Sequence, residues 1–311
     1  MPNKPPLIVI VGPTASGKTS LSIALCHKLK GEVVAMDSMQ IYQYMDIGTA
    51  KPTVEEQDGI AHHMLDVADP KEAYSVAEYA SQAKSCIAKI HAHGKIPVLT
   101  GGTGLYLKAL TTSMELGGTQ GDLKIREQLT AIAQEQHGVD ILVGMLTKVD
   151  PVTAARLHRN DLRRIIRALE VYEITGQPFS RQLMEERAEC PYSLCVLGMM
   201  MEREMLYTRI ELRVDEMIRL GLLAEVEHLL SMGVPPQAQS MQGLGYKEMI
   251  PVILGNQPLN QAIDSIKLGT RHYAKRQMTW FRRTEGIRWL DALSEDLTEK
   301  ALQQFENDLN T

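Results

Sequence analysis

The sequence predicts an α/β protein: a parallel β-sheet with flanking helices, plus an all-helical insertion domain. Three observations predict it. Short, continuously apolar runs rich in Val and Ile alternate with helical periodicity in the first third of the chain, as strands buried on both faces of a parallel sheet do. A glycine-rich loop joins the first of these runs to the first helix. The strand-like runs then stop, and a wholly helical pattern occupies the chain until a further apolar run near residue 193.

Taken in order, the predicted strands are "LIVIVG" (7–12), "EVVAMD" (32–37), "IPVLTGG" (96–102) and "SLCVLGMMM" (193–201). A helix starts near Lys18 between the first two. A longer one, opened by the capping box Ser75-Val-Ala-Glu78 and closed near Gly94, precedes the third. The character changes after "LGGTQG" (116–121), and from Asp122 to about Arg187 the pattern is helical with breaks at Gly138, Pro151, Gly176 and Pro178. The expected division is therefore a core made of 1–117 and 190–311 around a helical insertion at 118–189. A long amphipathic helix is expected from about Glu204 to Met232, then a turn-rich segment "GVPPQAQSMQGLGY", helices to about Arg283, and a peripheral helix or frayed tail after Asp291. No internal repeat or low-complexity tract is present.

Composition excludes several classes. With 311 residues, 44% hydrophobic and 23% charged, the chain reads as an ordinary globular protein large enough for a substantial core. A net charge of −5 disfavours indiscriminate coating of nucleic acid and leaves room for a local basic surface. The four cysteines are scattered, with no C-x-x-C pair, so a structural metal and a disulfide framework are not expected and a reducing cytoplasm is. The five-residue "LIVIV" run is too short for a signal peptide, and no segment approaches a membrane span. The seventeen methionines read as soft core filling.

The loop "GPTASGKT" satisfies G-x-x-x-x-G-K-[ST] between a strand and a helix, which makes the sheet P-loop NTPase-like. Gly12, Pro13, Thr14, Ala15, Ser16, Gly17, Lys18 and Thr19 are expected to form a cradle for a di- or triphosphate. Its glycines let backbone N–H groups converge on anionic oxygens, Lys18 adds a point charge, and the Thr19 hydroxyl is a ligand for Mg²⁺. The loop does not choose which atom is attacked. Asp37, at the end of the second strand, faces the same crevice. By spacing alone it is equally a magnesium-side carboxylate, the base for a substrate hydroxyl in a kinase, or the base for a different nucleophile.

Nine ordered blocks sharpen the choice. "GPTASGKT" (12–19), "DSMQIY" (37–42), "MDIGTAKP" (45–52), "HHMLD" (62–66), "GGTGLYLKAL" (101–110), "RRIIRALEVYEITG" (163–176), "RIELRVDEMIRLGLLAEV" (209–226), "QGLGYKE" (242–248) and "AKRQMTWFR" (274–282) together resemble the tRNA dimethylallyltransferases from about residue 7 to about 290. The segment before "RIIR" is "NDLRR" where the family pattern would have "NDPQR", and no C-terminal Cys/His zinc finger is present, so the bacterial form fits. The resemblance implies transfer of a five-carbon prenyl group from dimethylallyl diphosphate to N6 of the adenine just 3′ of the anticodon, with Mg²⁺ and without ATP. It implies that Thr103 and Arg213 join Lys18 at the diphosphate. It implies that the tRNA anticodon stem-loop is held by Asp37, Ser38, Met39 and Gln40. The insertion would add Arg163, Arg164, Ile165, Ile166 and Arg167, and the turn-rich segment Met241, Gln242, Gly243, Leu244, Gly245 and Tyr246. Lys275, Arg276, Gln277, Trp280 and Arg282 would complete the contact. A monomer is expected.

Elementary chemistry is consistent with that reaction. An allylic diphosphate leaves with concentrated negative charge, which the loop, Lys18 and a Thr19-bound ion would stabilise in a site closed to water. An adenine amine is a weak nucleophile, and a carboxylate hydrogen-bonded to its N–H takes the proton as the C–N bond forms; Asp37 fits that role, with Ser38 and Gln40 placed to hold the base edge or sugar. The base must be flipped from its stack, and the RNA backbone needs a basic surface. "RHYAKRQMTWFRR" (271–283) supplies one: on a helical wheel Arg271, Lys275, Arg276, Arg282 and Arg283 span an arc of roughly 140°, opposite Tyr273, Ala274, Met278, Trp280 and Phe281. "RLHRNDLRRIIR" (156–167) supplies another, with Arg156, Arg159, Arg163 and Arg167 sharing a face and Leu162, Ile165 and Ile166 turned inward. The bland alternatives are a strand-end cap for Asp37, a surface arginine for Arg213 and solvated helix faces for the two runs. His62-His63 are read either as substrate-positioning residues or, at least as readily, as a satisfied loop pair, and Lys51 and Pro52 are expected to shape a turn. A small-molecule phosphotransferase, prenyl transfer to a free adenine nucleotide and a non-enzymatic RNA-binding protein are the competing functions; the blocks "RRIIRALE", "QGLGYKE" and "AKRQMTWFR" favour an RNA substrate over a free nucleotide.

Overall fold

The computed structural model describes residues 4–112, 121–184 and 190–309, and the chain divides into two compact units, Met1–Thr111 with Pro191–Thr311, and Thr112–Cys190. The expected insertion boundary at 117/118 and residues 185–189 at its far end lie outside the described residues.

In the first unit the elements run β1 (Pro6–Val11), α1 (Lys18–Leu29), β2 (Gly31–Met36), β3 (His62–His63), α2 (Val76–Ala92), β4 (Ile96–Gly101) and α3 (Gly104–Thr111). The second unit holds α4 (Leu123–Gln134), α5 (Gly138–Val149), α6 (Pro151–Arg156), α7 (Leu162–Thr175) and α8 (Phe179–Met184). The first unit then resumes with β5 (Ser193–Met200), α9 (Arg203–Leu220), α10 (Leu222–Ser231), a 3₁₀ turn (Ser240–Gln242), α11 (Tyr246–Ile253), α12 (Leu259–Phe281), β6 (Ile287–Asp291) and α13 (Leu297–Leu309). All strands pair in parallel in the order β3-β2-β4-β1-β5-β6. The segments leaving β1, β2, β4 and β5 therefore meet at one carboxyl edge, where open α/β sheets bind ligands.

The apolar runs are strands for the expected reason: Leu7–Val11 and the whole of β2 are buried, so no alternation with polar residues is needed. One charge interrupts β2. Glu32, 8% exposed, accepts from Lys95 Nζ and His63 Nε2 at 2.6 Å each, which holds its carboxyl below the usual range despite burial. The capping box opening α2 is present: Ser75 Oγ accepts from Glu78 N at 3.1 Å and Glu78 Oε2 from Ser75 N at 2.7 Å.

Three expectations about this unit change. The helix expected over 204–232 is two, because Gly221 adopts φ 101° and turns the chain between α9 and α10. A sixth strand, β6, extends the sheet beyond β5. The segment after it is no tail: on α13, Ala301 and Phe305 are buried in the main core with Leu21, Leu25, Cys195 and Leu197. Phe305→Ala should therefore destabilise the protein by about 3–5 kcal/mol in urea-induced unfolding, where a frayed tail would register almost nothing.

The second unit has its own core of Leu129, Leu142, Leu146, Ile165, Ile166, Ala168 and Leu169. The run 156–167 is not a single helix, since α6 ends at Arg156 and α7 begins at Leu162, with Asp161 as its N-cap. Arg156, Arg159, Arg163 and Arg167 consequently do not share one helical face. Within α7, Glu170 is fully buried and accepts from Arg126 Nη2 (3.0 and 3.1 Å), Arg167 Nη1 (2.7 Å) and the Asp122 N–H (3.0 Å), which lowers its pKa against the pull of burial.

Candidate active site at the carboxyl edge of the sheet

The loop after β1 is tightly wound. Gly12 has φ 148°, and a Cβ there would lie 2.9 Å from Met199 Cβ, so only glycine lets the loop leave the sheet at this point. Ala15 holds φ 62°, an uncommon conformation for a residue with a side chain, and packs against the small cluster of Leu206, Ile210 and Ala274. Ser16 is buried and its hydroxyl donates to Pro13 O at 2.8 Å; Lys18 Nζ donates to the same oxygen at 2.7 Å. Gly17, at φ 88°, caps α1, whose first turn carries Lys18 and Thr19 with no acidic residue to oppose an anion.

A residue from far along the chain ties this loop to its neighbour. Gln277, on α12 and 5% exposed, accepts from the Thr14 N–H at 2.9 Å and donates through Nε2 to Gly102 O at 3.1 Å. The loops after β1 and β4 are thus spaced by one amide. Beside it Tyr273 hydrogen-bonds Thr103 and Gln277, and burial with the nearby Asp37 charge pushes its phenol well up.

Asp37 follows β2 in a turn braced from two sides. Its Oδ1 accepts from the Met39 N–H at 2.9 Å, and the next amide, Ser38 N–H, donates to Thr103 Oγ1 at 3.1 Å. Thr103 N in turn donates to Met36 O at 3.3 Å. Thr103 therefore meets the Asp37 turn directly. Gln40 donates to Thr49 O (3.2 Å) and Ala50 O (3.1 Å). Lys51, its side chain only 6% exposed, is a turn-shaping residue as expected: its amine donates to Tyr42 O (2.9 Å), Asp46 Oδ1 (2.5 Å) and Asp66 Oδ1 (2.6 Å).

Arg213, on α9, reaches across to Thr14 Oγ1 at 3.3 Å and Ala50 O at 3.4 Å, so it belongs to this site and not to the general surface. Its guanidinium is held below its ordinary pKa by burial, with Asp37 and Glu56 acting the other way. Burial and the Arg213 charge bring Lys18 down to about 8, with Asp37 opposing. Two cations crowded together in low dielectric, with one carboxylate near both, form a site short of negative charge. Beside them opens a cleft of about 980 Å³ whose wall includes Gly17, Lys18, Thr19, Ala50, Arg209 and Arg213.

The expected RNA-contact residues divide. On α12, Lys275, Arg276 and the flanking Arg282 and Arg283 are exposed, whereas Trp280 is 41% exposed and lies over Gly104 instead of facing the core. At 180° on the wheel it borders the basic arc, which explains why it tips outward. Gln277 is spent on the loops. In the turn-rich segment Met241 and Tyr246 are fully buried, Gly243 packs on Met39 and Leu244 on Gly269, while Gln242 is exposed. In the second unit Arg163 and Arg164 are exposed, but Ile165 and Ile166 are core residues whose side chains are not available to a partner. Its place on the helix wheel between Tyr273 and Phe281 marks Gln277 as inward-facing, but the loops it holds lie far away in sequence.

The parallel sheet and its glycine loop define a P-loop-like α/β protein. Residues 40–284 match the family model of IPP transferase. The chain is 48% identical over 287 residues to a tRNA dimethylallyltransferase of Pelotomaculum thermopropionicum, covering 92% of this chain and 91% of the relative. To that of Halalkalibacterium halodurans it is 45% identical over 301 residues, covering 96% and 95%. Among solved structures it resembles the full-length tRNA isopentenylpyrophosphate transferase of Bacillus halodurans (TM-score 0.73, 43% identity, 99% of this chain and 97% of that one). It also resembles a eukaryotic dimethylallyltransferase described as acting on tRNA (TM-score 0.81, 31% identity, 98% and 79%). The chain belongs to the IPP transferase family, that of the tRNA dimethylallyltransferases, and is a prenyltransferase.

Proposed function

We propose that the protein transfers a dimethylallyl group from dimethylallyl diphosphate to N6 of the adenine 3′-adjacent to the anticodon in tRNA, releasing diphosphate. The observation that carries this reading is the gathering of Lys18, Arg213, the loop amides and Asp37 at one sheet edge, beside Thr103. Relatives 45–48% identical to it are named tRNA dimethylallyltransferases, which supports a dimethylallyl group as cargo and tRNA as acceptor.

The diphosphate lies along the loop, where the amides, Lys18 and Arg213 neutralise charge that grows as the C–O bond breaks. Burial makes each of these donors stronger than it would be in water. The carbon end points toward Asp37. Asp37 accepts the N6 proton as the amine attacks; the Met39 N–H holds its carboxylate, and the Ser38 N–H, bound to Thr103, steadies the turn that carries it. Thr103 acts here by bracing that turn.

Mg²⁺ fits one donor of the site. Thr19 stands exposed on the cleft wall, and among the described residues no cluster of three His, Cys, Asp or Glu side chains is positioned to cage a metal. That donor set suits an ion held by the Thr19 hydroxyl and by the diphosphate that brings it. Bound there, Mg²⁺ would add positive charge to the leaving group.

On the first unit the RNA backbone would rest on Lys275, Arg276 and Arg282; the second unit, taken by itself, offers the exposed Arg163 and Arg164 to RNA. The double substitution of Lys275 and Arg276 by Ala should weaken tRNA binding and lower the slope of log Kd against log salt by about 1–2. Filter binding across a salt series checks this, and an unchanged slope removes both residues from the interface.

The function itself is tested by incubating the protein with Mg²⁺, dimethylallyl diphosphate and unmodified tRNA, and reading the tRNA by mass spectrometry for a five-carbon addition. Nucleotide hydrolysis without that addition would favour the phosphotransferase. Modification of free AMP but not tRNA would favour the free-nucleotide enzyme.

A further inference from the structure

The segment carrying "MDIGTAKP" lies in the connection from β2 to β3, and its conformation is set by a residue the mechanism does not use. Glu225, on α10, points its carboxylate into the turn. Oε2 accepts from the Asp46 N–H at 2.9 Å and the Ile47 N–H at 2.8 Å; Oε1 accepts from the Gly48 N–H at 3.0 Å and the Tyr246 hydroxyl at 2.7 Å. Four donors converge on one side chain. Only an acceptor-only group satisfies all four, since an amide in its place would turn N–H against N–H. The fit is close on the far side too: a Cβ on Gly48 would lie 2.5 Å from Tyr246 Cε2.

What this turn presents inward is the point. Its next two carbonyls, Thr49 O and Ala50 O, receive the Gln40 amide, and Ala50 O also receives Arg213 Nη2. Gln40 lies three residues beyond Asp37, and the other nitrogen of Arg213 meets Thr14 of the phosphate loop. A chain of contacts therefore runs from Tyr246 through Glu225 and the 46–50 turn to the two side chains flanking the site.

We infer that Glu225, clasped by Tyr246, is a positioning residue for the diphosphate end of the reaction: it fixes the Ala50 carbonyl that aims Arg213. The inference rests on the proposed function for its meaning in turnover, but its binding consequence stands alone. It also gives the buried Tyr246 of "QGLGYKE" a role behind the donor site in place of direct RNA contact.

Glu225→Gln in the full chain should lower kcat about tenfold to a hundredfold, the scale of a charged hydrogen bond, and leave Kd for tRNA within about twofold. Calorimetric titration with inorganic diphosphate and Mg²⁺ should show affinity weakened about tenfold. Combined with Arg213→Lys, the losses should be less than multiplicative, because both variants disturb one contact. Wild-type diphosphate affinity in Glu225→Gln, or full multiplicativity with Arg213→Lys, would overturn the assignment and leave Glu225 a loop anchor. If Glu225→Gln does not fold, Tyr246→Phe removes one of the four donors and must still weaken diphosphate binding; no change there would equally sink the idea. If the wild type fails to prenylate tRNA, the diphosphate titration continues to decide about Glu225 while the proposed reaction falls.

Discussion

Asp37→Asn is expected to reduce turnover about 10²–10⁴-fold while binding of both tRNA and diphosphate stays within about threefold of wild type. The amide retains an oxygen for the Met39 N–H at Oδ1, so the turn that Thr103 braces is preserved. In the proposed reaction, what it would lose is the capacity to accept a proton from the adenine amine and to raise electron density on its nitrogen. Single-turnover kinetics with saturating substrates separates the two contributions, because a binding defect would vanish at saturation and a chemical one would not. Turnover near wild type would return Asp37 to the status of a strand-end cap.

Lys18→Met should cost about 10³-fold in turnover and, unlike Asp37→Asn, should also weaken diphosphate binding. The stronger signature is in pH. In the free protein burial and Arg213 hold the Lys18 amine down to about 8. A bound diphosphate supplies negative charge and raises it again, so the bound state carries the proton over a range where the free state has lost it. Below about pH 7 both states are protonated and binding takes up almost nothing. Above pH 8 binding must take up a proton, and affinity falls with each further unit of pH. Titration calorimetry in buffers of different ionisation enthalpy should show uptake rising toward one proton between about pH 7 and 9, and Lys18→Met should abolish that contribution. The same depression works against the fold. The unfolded chain, with its lysine near 10.5, binds more protons than the folded one between about pH 8 and 10.5, so this group's penalty on stability is relieved as pH rises through that window.

Much of this site was legible because it is local. The G-x-x-x-x-G-K-T loop is eight consecutive residues between a strand and a helix, so its pattern is visible without any distant partner. Asp37 is found by counting to the end of the next apolar run. The parallel sheet follows from runs with no polar alternation. Where the expectation failed, the deciding contact was distant. Thr14 and Gln277 are 263 positions apart, so nothing near "AKRQMTWFR" indicates that its glutamine spaces two loops. Glu225 reaches its turn across 177–179 positions and reads in sequence as an unremarkable acid on an amphipathic helix. Ile165 and Ile166 share a block with exposed arginines, and helical geometry turns neighbours in one motif to opposite faces.

By itself, then, the sequence determined the α/β class, the loop and its lysine, the carboxylate opposite it and the family to which the chain belongs. These depend on short-range patterns: burial of whole strands, backbone freedom at Gly12 and Gly17, and the order of motif blocks. The tertiary structure alone decided how the motif residues divide their work. It set Arg213 against Thr14 and Ala50, gave Gln277 to the loops, and buried Tyr246 against Glu225 behind the site. The physical reason is that side-chain direction and donor–acceptor pairing are settled by what packs opposite, and here that partner comes from the other end of the chain.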